Sequence, residues 1–127
     1  MKKTPPSNLE LQVLSVLWER GPSTVRDVRE AMPDGKKRAY TTILSVMQVM
    51  EKKGLLTHAS KGTAHVYRPT VSRRQTLGPV LKGLVSNVFG GRVSSVMQHL
   101  LNGAEVDEKE LSEIRRILEE REKRVAQ

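Results

Sequence analysis

The chain has 127 residues, 22 Lys and Arg against 14 Asp and Glu, a net charge of +8 and no cysteine. This length holds one modest domain or two very small ones, and the lack of cysteine excludes a disulfide scaffold, a thiolate metal site and a cysteine nucleophile. Aromatic side chains are limited to Trp18, Tyr40, Tyr67 and Phe89, so the core must come from Leu, Val, Ile and Met. Lys2 and Lys3 lead into Thr4, Pro5 and Pro6 rather than an apolar signal-peptide core, and no apolar run approaches the roughly 20 residues of a membrane span. A soluble cytoplasmic protein without a membrane partner is therefore expected. Residues 1–70 hold 12 basic and 6 acidic side chains, against 10 and 8 in the remaining 57 residues. The positive excess sits in the first half, where phosphates would reward it by releasing counterions.

Ser7 with Glu10 forms a capping box that opens a first helix through Leu11, Leu14, Val16, Leu17 and Trp18, and Gly21-Pro22 stops it. Ser23-Thr24 opens a second, short helix from Val25 to about Met32, and Pro33-Asp34-Gly35 turns the chain. After a basic loop, Ala39, Ile43, Val46, Met47 and Met50 recur at helical spacing and predict a third helix from Ala39 to Lys53, capped by Gly54. Leu55–Ser60 and Thr63–Arg68 read as the strands of a hairpin turning at Lys61-Gly62 and ended by Pro69.

Three helices and a hairpin is the winged helix-turn-helix order, in which the third helix enters the major groove. With Thr42, Ile43, Val46, Met47 and Met50 turned inward, the opposite face shows Tyr40, Thr41, Leu44, Ser45 and Gln48. These types suit base edges: Ser and Thr bond several base atoms, Gln48 suits adenine, and Leu44 or the Thr41 methyl suits a thymine methyl. Lys36, Lys37 and Arg38 before the helix, and Lys52 and Lys53 at its end, are positioned for phosphates, with Lys61, His65 and Arg68 extending the footprint along the wing. An ordinary solvated face with a solubility patch is the alternative reading of these residues. His58, His65 and His99 are scattered with no carboxylate at metal-ligand spacing, so no metal, cofactor or enzyme site is expected.

The second half begins with another capping box, Ser72 with Gln75, and an uninterrupted apolar stripe of Leu77, Val80, Leu81, Leu84, Val85, Val88 and Phe89, which predicts a strongly amphipathic helix. Gly90-Gly91 ends it, and a short helix with Val93, Val96, Met97, Leu100 and Leu101 runs to Asn102-Gly103. Asp107 with Glu110 caps a last helix carrying Leu111, Ile114, Leu118 and Val125 at approximately heptad spacing. Fifty-seven residues bury little core alone, so the stripe needs a partner. Either it packs onto the first half or, as favoured by the two-fold habit of major-groove readers, it forms a homodimer.

These residues resemble the penicillinase and methicillin-resistance repressor family, which includes the copper-responsive repressors of Gram-positive bacteria. The similar stretches are Leu9-Glu10-Leu11-Gln12-Val13-Leu14 through Leu17-Trp18-Glu19, Gly21-Pro22-Ser23-Thr24-Val25-Arg26-Asp27-Val28, Ala39-Tyr40-Thr41-Thr42-Ile43-Leu44, Glu51-Lys52-Lys53-Gly54-Leu55 and Ala64-His65-Val66-Tyr67-Arg68-Pro69. A weaker similarity continues through Phe89-Gly90-Gly91 to the end. The resemblance implies a winged-helix repressor with a helical C-terminal dimerisation region, bound as a dimer to a palindromic operator. Members induced by β-lactams are cleaved by a sensor protease at an Asn-Phe bond after the Gly-Gly turn, where this chain has Gln98-His99. Copper-responsive members use a C-terminal cysteine cluster, and this chain has none. A position that is often basic in the recognition helix of relatives is Val49 here.

The expectation is thus a mainly α protein, with a winged-helix DNA-binding domain at 1–70 and a helical dimerisation region at 71–127 that pairs through Leu77, Val80, Leu81, Leu84, Val85, Val88, Phe89, Leu111, Ile114 and Leu118. Its expected function is sequence-specific repression. A winged-helix protein-interaction module without a DNA site is the alternative.

Overall fold

The computed structural model describes residues 5–103 and 105–126. Helix α1 (Asn8–Arg20) opens with the expected box: the Ser7 N–H donates to Glu10 Oε1 at 2.8 Å and the Glu10 N–H to Ser7 Oγ at 3.2 Å. It ends at Gly21, whose φ of 84° lets its N–H return to the Leu17 carbonyl at 2.9 Å. Thr24 and Asp27 form a second box at the head of α2 (Val25–Glu30). This helix stops two residues short of the expected end, and Met32 reaches the core from the turn that follows. Helix α3 spans Tyr40–Lys52. Strands β1 (Leu56–Lys61) and β2 (Ala64–Pro69) pair antiparallel from Leu56 opposite Pro69 to Lys61 opposite Ala64.

The turn is Gly62-Thr63 rather than the expected Lys61-Gly62, and each strand slides one residue along the chain. The reason is local: Gly62 sits at φ +66°, and a two-residue hairpin turn places its tolerant glycine at the first central position. One pairing was invisible in the sequence. Ser23 bridges Tyr67 antiparallel, with N–H to carbonyl bonds of 3.0 and 2.8 Å in the two directions. The loop before α2 is thereby stitched to the second strand.

The core follows from these elements. Val13, Leu14 and Leu17 of α1 meet Val25 and Val28 of α2, Ile43, Met47 and Met50 of α3, and Leu56 and Tyr67 of the hairpin, all buried in one cluster. This is a winged helix, three helices closed by a two-stranded hairpin. Burial pushes the Tyr67 phenol up, with the nearby Glu51 charge adding to the effect.

Three more helices follow: α4 (Arg73–Val88), α5 (Val93–Gly103) and α6 (Glu108–Ala126). Ser72 and Gln75 box the start of α4 at 2.9 and 3.1 Å, and Asp107 accepts the Glu110 N–H at 2.8 Å before α6. Helix α5 runs through Asn102-Gly103 rather than stopping before it. The chain forms two compact units, Met1–Lys82 and Gly83–Gln127, so the division falls inside α4. Among the described residues, none after Tyr67 is buried. The α4 stripe is not uninterrupted, because Gly78, Pro79 and Gly83 lie in the helix; Leu77, Val80 and Val85 are half-buried, while Leu81, Leu84 and Val88 are exposed. No helix of the described residues is long and apolar enough to cross a membrane.

Candidate nucleic-acid interface

Helix α3 turns Ile43, Met47 and Met50 fully inward, which sends Thr41, Ser45, Gln48 and Lys52 to the opposite side, all exposed. Tyr40 is half exposed at 49%. Leu44 is half-buried, packed on the edge of the core. Thr42 and Ala39 depart from the expected inward face: Thr42 is exposed, and Ala39 is the exposed N-cap residue, because the helix begins one residue later than its spacing suggested. Val46 rests half-buried against the cluster, while Val49 is 46% exposed.

Tyr40, Leu44 and Gln48 line a cleft of about 530 Å³, whose other walls are Thr24, Val25 and Arg26 at the head of α2 and Thr63, Ala64, His65 and Tyr67 of the hairpin. The Ser23–Tyr67 bridge explains this convergence, because it holds the head of α2 beside the second strand. Thr24, Arg26 and Thr63 were not singled out by sequence reasoning. Thr24 and Arg26 reach it through the Ser23–Tyr67 bridge, which no local pattern announces, and Thr63 through the shifted hairpin turn.

The cations divide into two groups. Lys36, Lys37, Lys52, Lys61 and Arg68 are exposed, and among the described residues none of them pairs with a carboxylate. Arg38 and Lys53, the other two expected phosphate holders, each meet a carboxylate in this structure. The Arg38 guanidinium makes a fork on Asp34, 3.1 Å to Oδ1 and 2.6 Å to Oδ2, while its carbonyl accepts from Arg29 Nε. That fork holds the Asp34 carboxyl well below its usual range and rigidifies the turn into α3. Lys53 Nζ lies 3.0 Å from both oxygens of Glu10, a side chain only 6% exposed. Burial opposes ionisation of Glu10, but the Ser7 N–H and the Lys53 ammonium outweigh it and hold the carboxyl below its ordinary range.

The histidines are less scattered than their spacing suggests. His58 and His65 stack across the hairpin with ring centres 4.3 Å apart, and His58 Nδ1 lies 2.7 Å from Glu51 Oε1 at the end of α3. The wing is thus tied to the third helix by side chains as well as by its strand.

The outward face of α3 thus lies beside the wing, with exposed lysines before it and at its end. The sequence model described as penicillinase repressor matches residues 6–120. The chain belongs to the penicillinase repressor family. Within that family, it is 26% identical over 125 residues to the penicillinase repressor of Bacillus licheniformis, covering 98% of each chain. It is 32% identical over 123 residues to the transcriptional regulator BlaI of Mycobacterium tuberculosis, covering 95% of this chain and 88% of that one. A solution structure of the monomeric form of Bacillus licheniformis BlaI in complex with the blaP half-operator is 26% identical, with a TM-score of 0.48, covering 57% of this chain and 89% of the other.

Proposed function

We propose that this penicillinase repressor family member is a cytoplasmic transcriptional repressor that binds a palindromic operator as a homodimer. Residues 1–70 read DNA and residues 71–127 pair the two copies. The observation that carries the reading is the outward face of α3, with Thr41, Ser45 and Gln48 exposed on one side of the helix and unpaired cations before, within and beyond it. Family relatives named as a penicillinase repressor and a transcriptional regulator support it.

In this reading Tyr40, Thr41, Leu44, Ser45 and Gln48 meet base edges, and Lys36, Lys37, Lys52, Lys61 and Arg68 meet phosphates. Pairing uses the α4 residues Leu77, Val80, Leu81, Leu84, Val85 and Val88, then Phe89, and Leu111, Ile114 and Leu118 of α6. Support comes from exposure: among the described residues, every large exposed apolar side chain except Tyr40 and Val49 lies beyond residue 80. The reading calls for no cofactor and no catalytic group. Relief of repression acts on residues 71–127, through cleavage, modification or an inducing partner.

The test is selection of bound fragments from the source genome, followed by salt titration of the selected duplex. With five phosphate-holding cations per protomer, affinity should fall about a thousandfold or more between 50 and 200 mM salt. No binding to any duplex at low salt would instead indicate a protein-docking module.

A further inference from the structure

The junction between the wing and α4 is fastened more firmly than a tether requires. Trp18, the single tryptophan, donates its Nε1–H to the Val71 carbonyl at 3.0 Å, across 53 positions of sequence. Two residues later the Arg73 guanidinium lies over the same indole, 5.5 Å from its centre, and bonds Glu19 Oε1 at 2.8 Å. On the strand side the Thr70 N–H donates to the Leu55 carbonyl at 2.9 Å, and its hydroxyl to the Gly54 carbonyl. The Ser72–Gln75 box then fixes the residue at which α4 begins. Four successive residues, 70 to 73, are therefore each held, two of them by the last turn of α1.

We infer that Trp18, Glu19 and Arg73 form a positioning latch that sets the direction in which α4 leaves the winged helix, and so selects the separation of half-sites that two copies read together. The inference rests on the homodimeric reading proposed above. Its physical basis is effective concentration: a loose tether lets the second reader reach many spacings at a low effective concentration, whereas a fixed exit concentrates it at one. Without the latch, the first turn of α4 would be free to pivot about Val71 and Ser72, which lie between the fastened Thr70 and the helix. None of the three side chains belongs to the reading face, so the latch acts on spacing and not on base choice.

The experiment uses the full chain and duplexes carrying one selected half-site, or two at the natural spacing and with one to four base pairs inserted. Trp18→Phe keeps the ring and drops the indole donor, Arg73→Gln removes the ion pair and the charge over the ring, and Arg73→Lys restores charge. The wild type should prefer its natural spacing over the best inserted one by tenfold or more, while Arg73→Gln and Trp18→Phe should lower that ratio to about threefold or less. Single half-site affinity should stay within about twofold for all variants, and Arg73→Lys should recover part of the selectivity. An unchanged spacing ratio in both Arg73→Gln and a cooperatively unfolding Trp18→Phe would overturn the latch alone. A wild type that binds two half-sites no better than one would overturn the homodimeric reading, and the latch with it.

Discussion

Two lysines adjacent in sequence illustrate how much a single contact decides. Lys52 projects from the outward side of α3, whereas Lys53 turns back to the buried Glu10. On duplexes carrying a single half-site, Lys52→Ala should weaken all sequences alike and reduce the slope of log affinity against log salt by about one, and Gln48→Ala should cost about 1–3 kcal/mol on the preferred half-site while relaxing one base position. Equal losses on specific and random DNA for Gln48→Ala, measured by fluorescence anisotropy, would refute its base-reading role. Lys53→Met should act on folding. Leaving Glu10 without its cation costs about 1–2 kcal/mol at neutral pH, given that the lysine is partly solvated. Because the folded carboxyl titrates below its ordinary value of 4.5, this stabilisation is present above that pH and is lost as pH falls through the lower folded value. Urea unfolding of wild type and Lys53→Met should therefore converge on acidification below about pH 4.5. A constant gap from pH 7 to pH 3 would show that the ion pair is not its source.

At the scale of elements, the hairpin depends on one backbone angle. Gly62 holds φ +66°, and a Cβ there would meet nothing within 4 Å, so Gly62→Ala isolates the cost of conformation from that of crowding. The substitution should destabilise the winged helix by about 1 kcal/mol in urea unfolding, and an unchanged midpoint would mean that the turn readily rearranges. The order of helices and strands was legible because caps and periodicity are local: Ser7 with Glu10, Thr24 before α2 and Ser72 with Gln75 each close the bonds their spacing suggests. The outward side of α3 was legible in Thr41, Ser45 and Gln48, since a helix that buries Ile43 and Met47 must expose what lies opposite. What could not be read was long-range. The partners of Lys53 and Arg38 were hidden, as were the Ser23–Tyr67 bridge and the His58–His65 stack, because each joins groups whose meeting depends on how whole elements pack. The α4 stripe was legible in part: its helix forms, but counting apolar positions gave no weight to Gly78, Pro79 and Gly83.

Across the molecule, the buried residues among those described all fall between Glu10 and Tyr67, and the described residues beyond are at least partly open to solvent. A chain ending at Lys82 keeps that core and the fastened start of α4, so it should unfold cooperatively yet lose most of its affinity for paired half-sites while retaining single half-site binding. Undiminished binding of paired sites by the shortened chain would remove the second half from the pairing role. In the full protein, Leu84→Ala should weaken the dimer by about 2–5 kcal/mol if its 42% exposed side chain is closed off by the second copy, as read by sedimentation. Half-site centres should lie about 34–36 Å apart or at a multiple of that distance. In the proposed homodimer the reading half is complete in one copy and the other half is finished only by a second, so repression counts the protein's own abundance. Far below the dissociation constant, halving the number of copies in a cell lowers the paired species roughly fourfold. A promoter silenced in this way answers to dosage as a threshold: modest dilution, slower synthesis or faster turnover would open it with no ligand bound and the reading surface untouched.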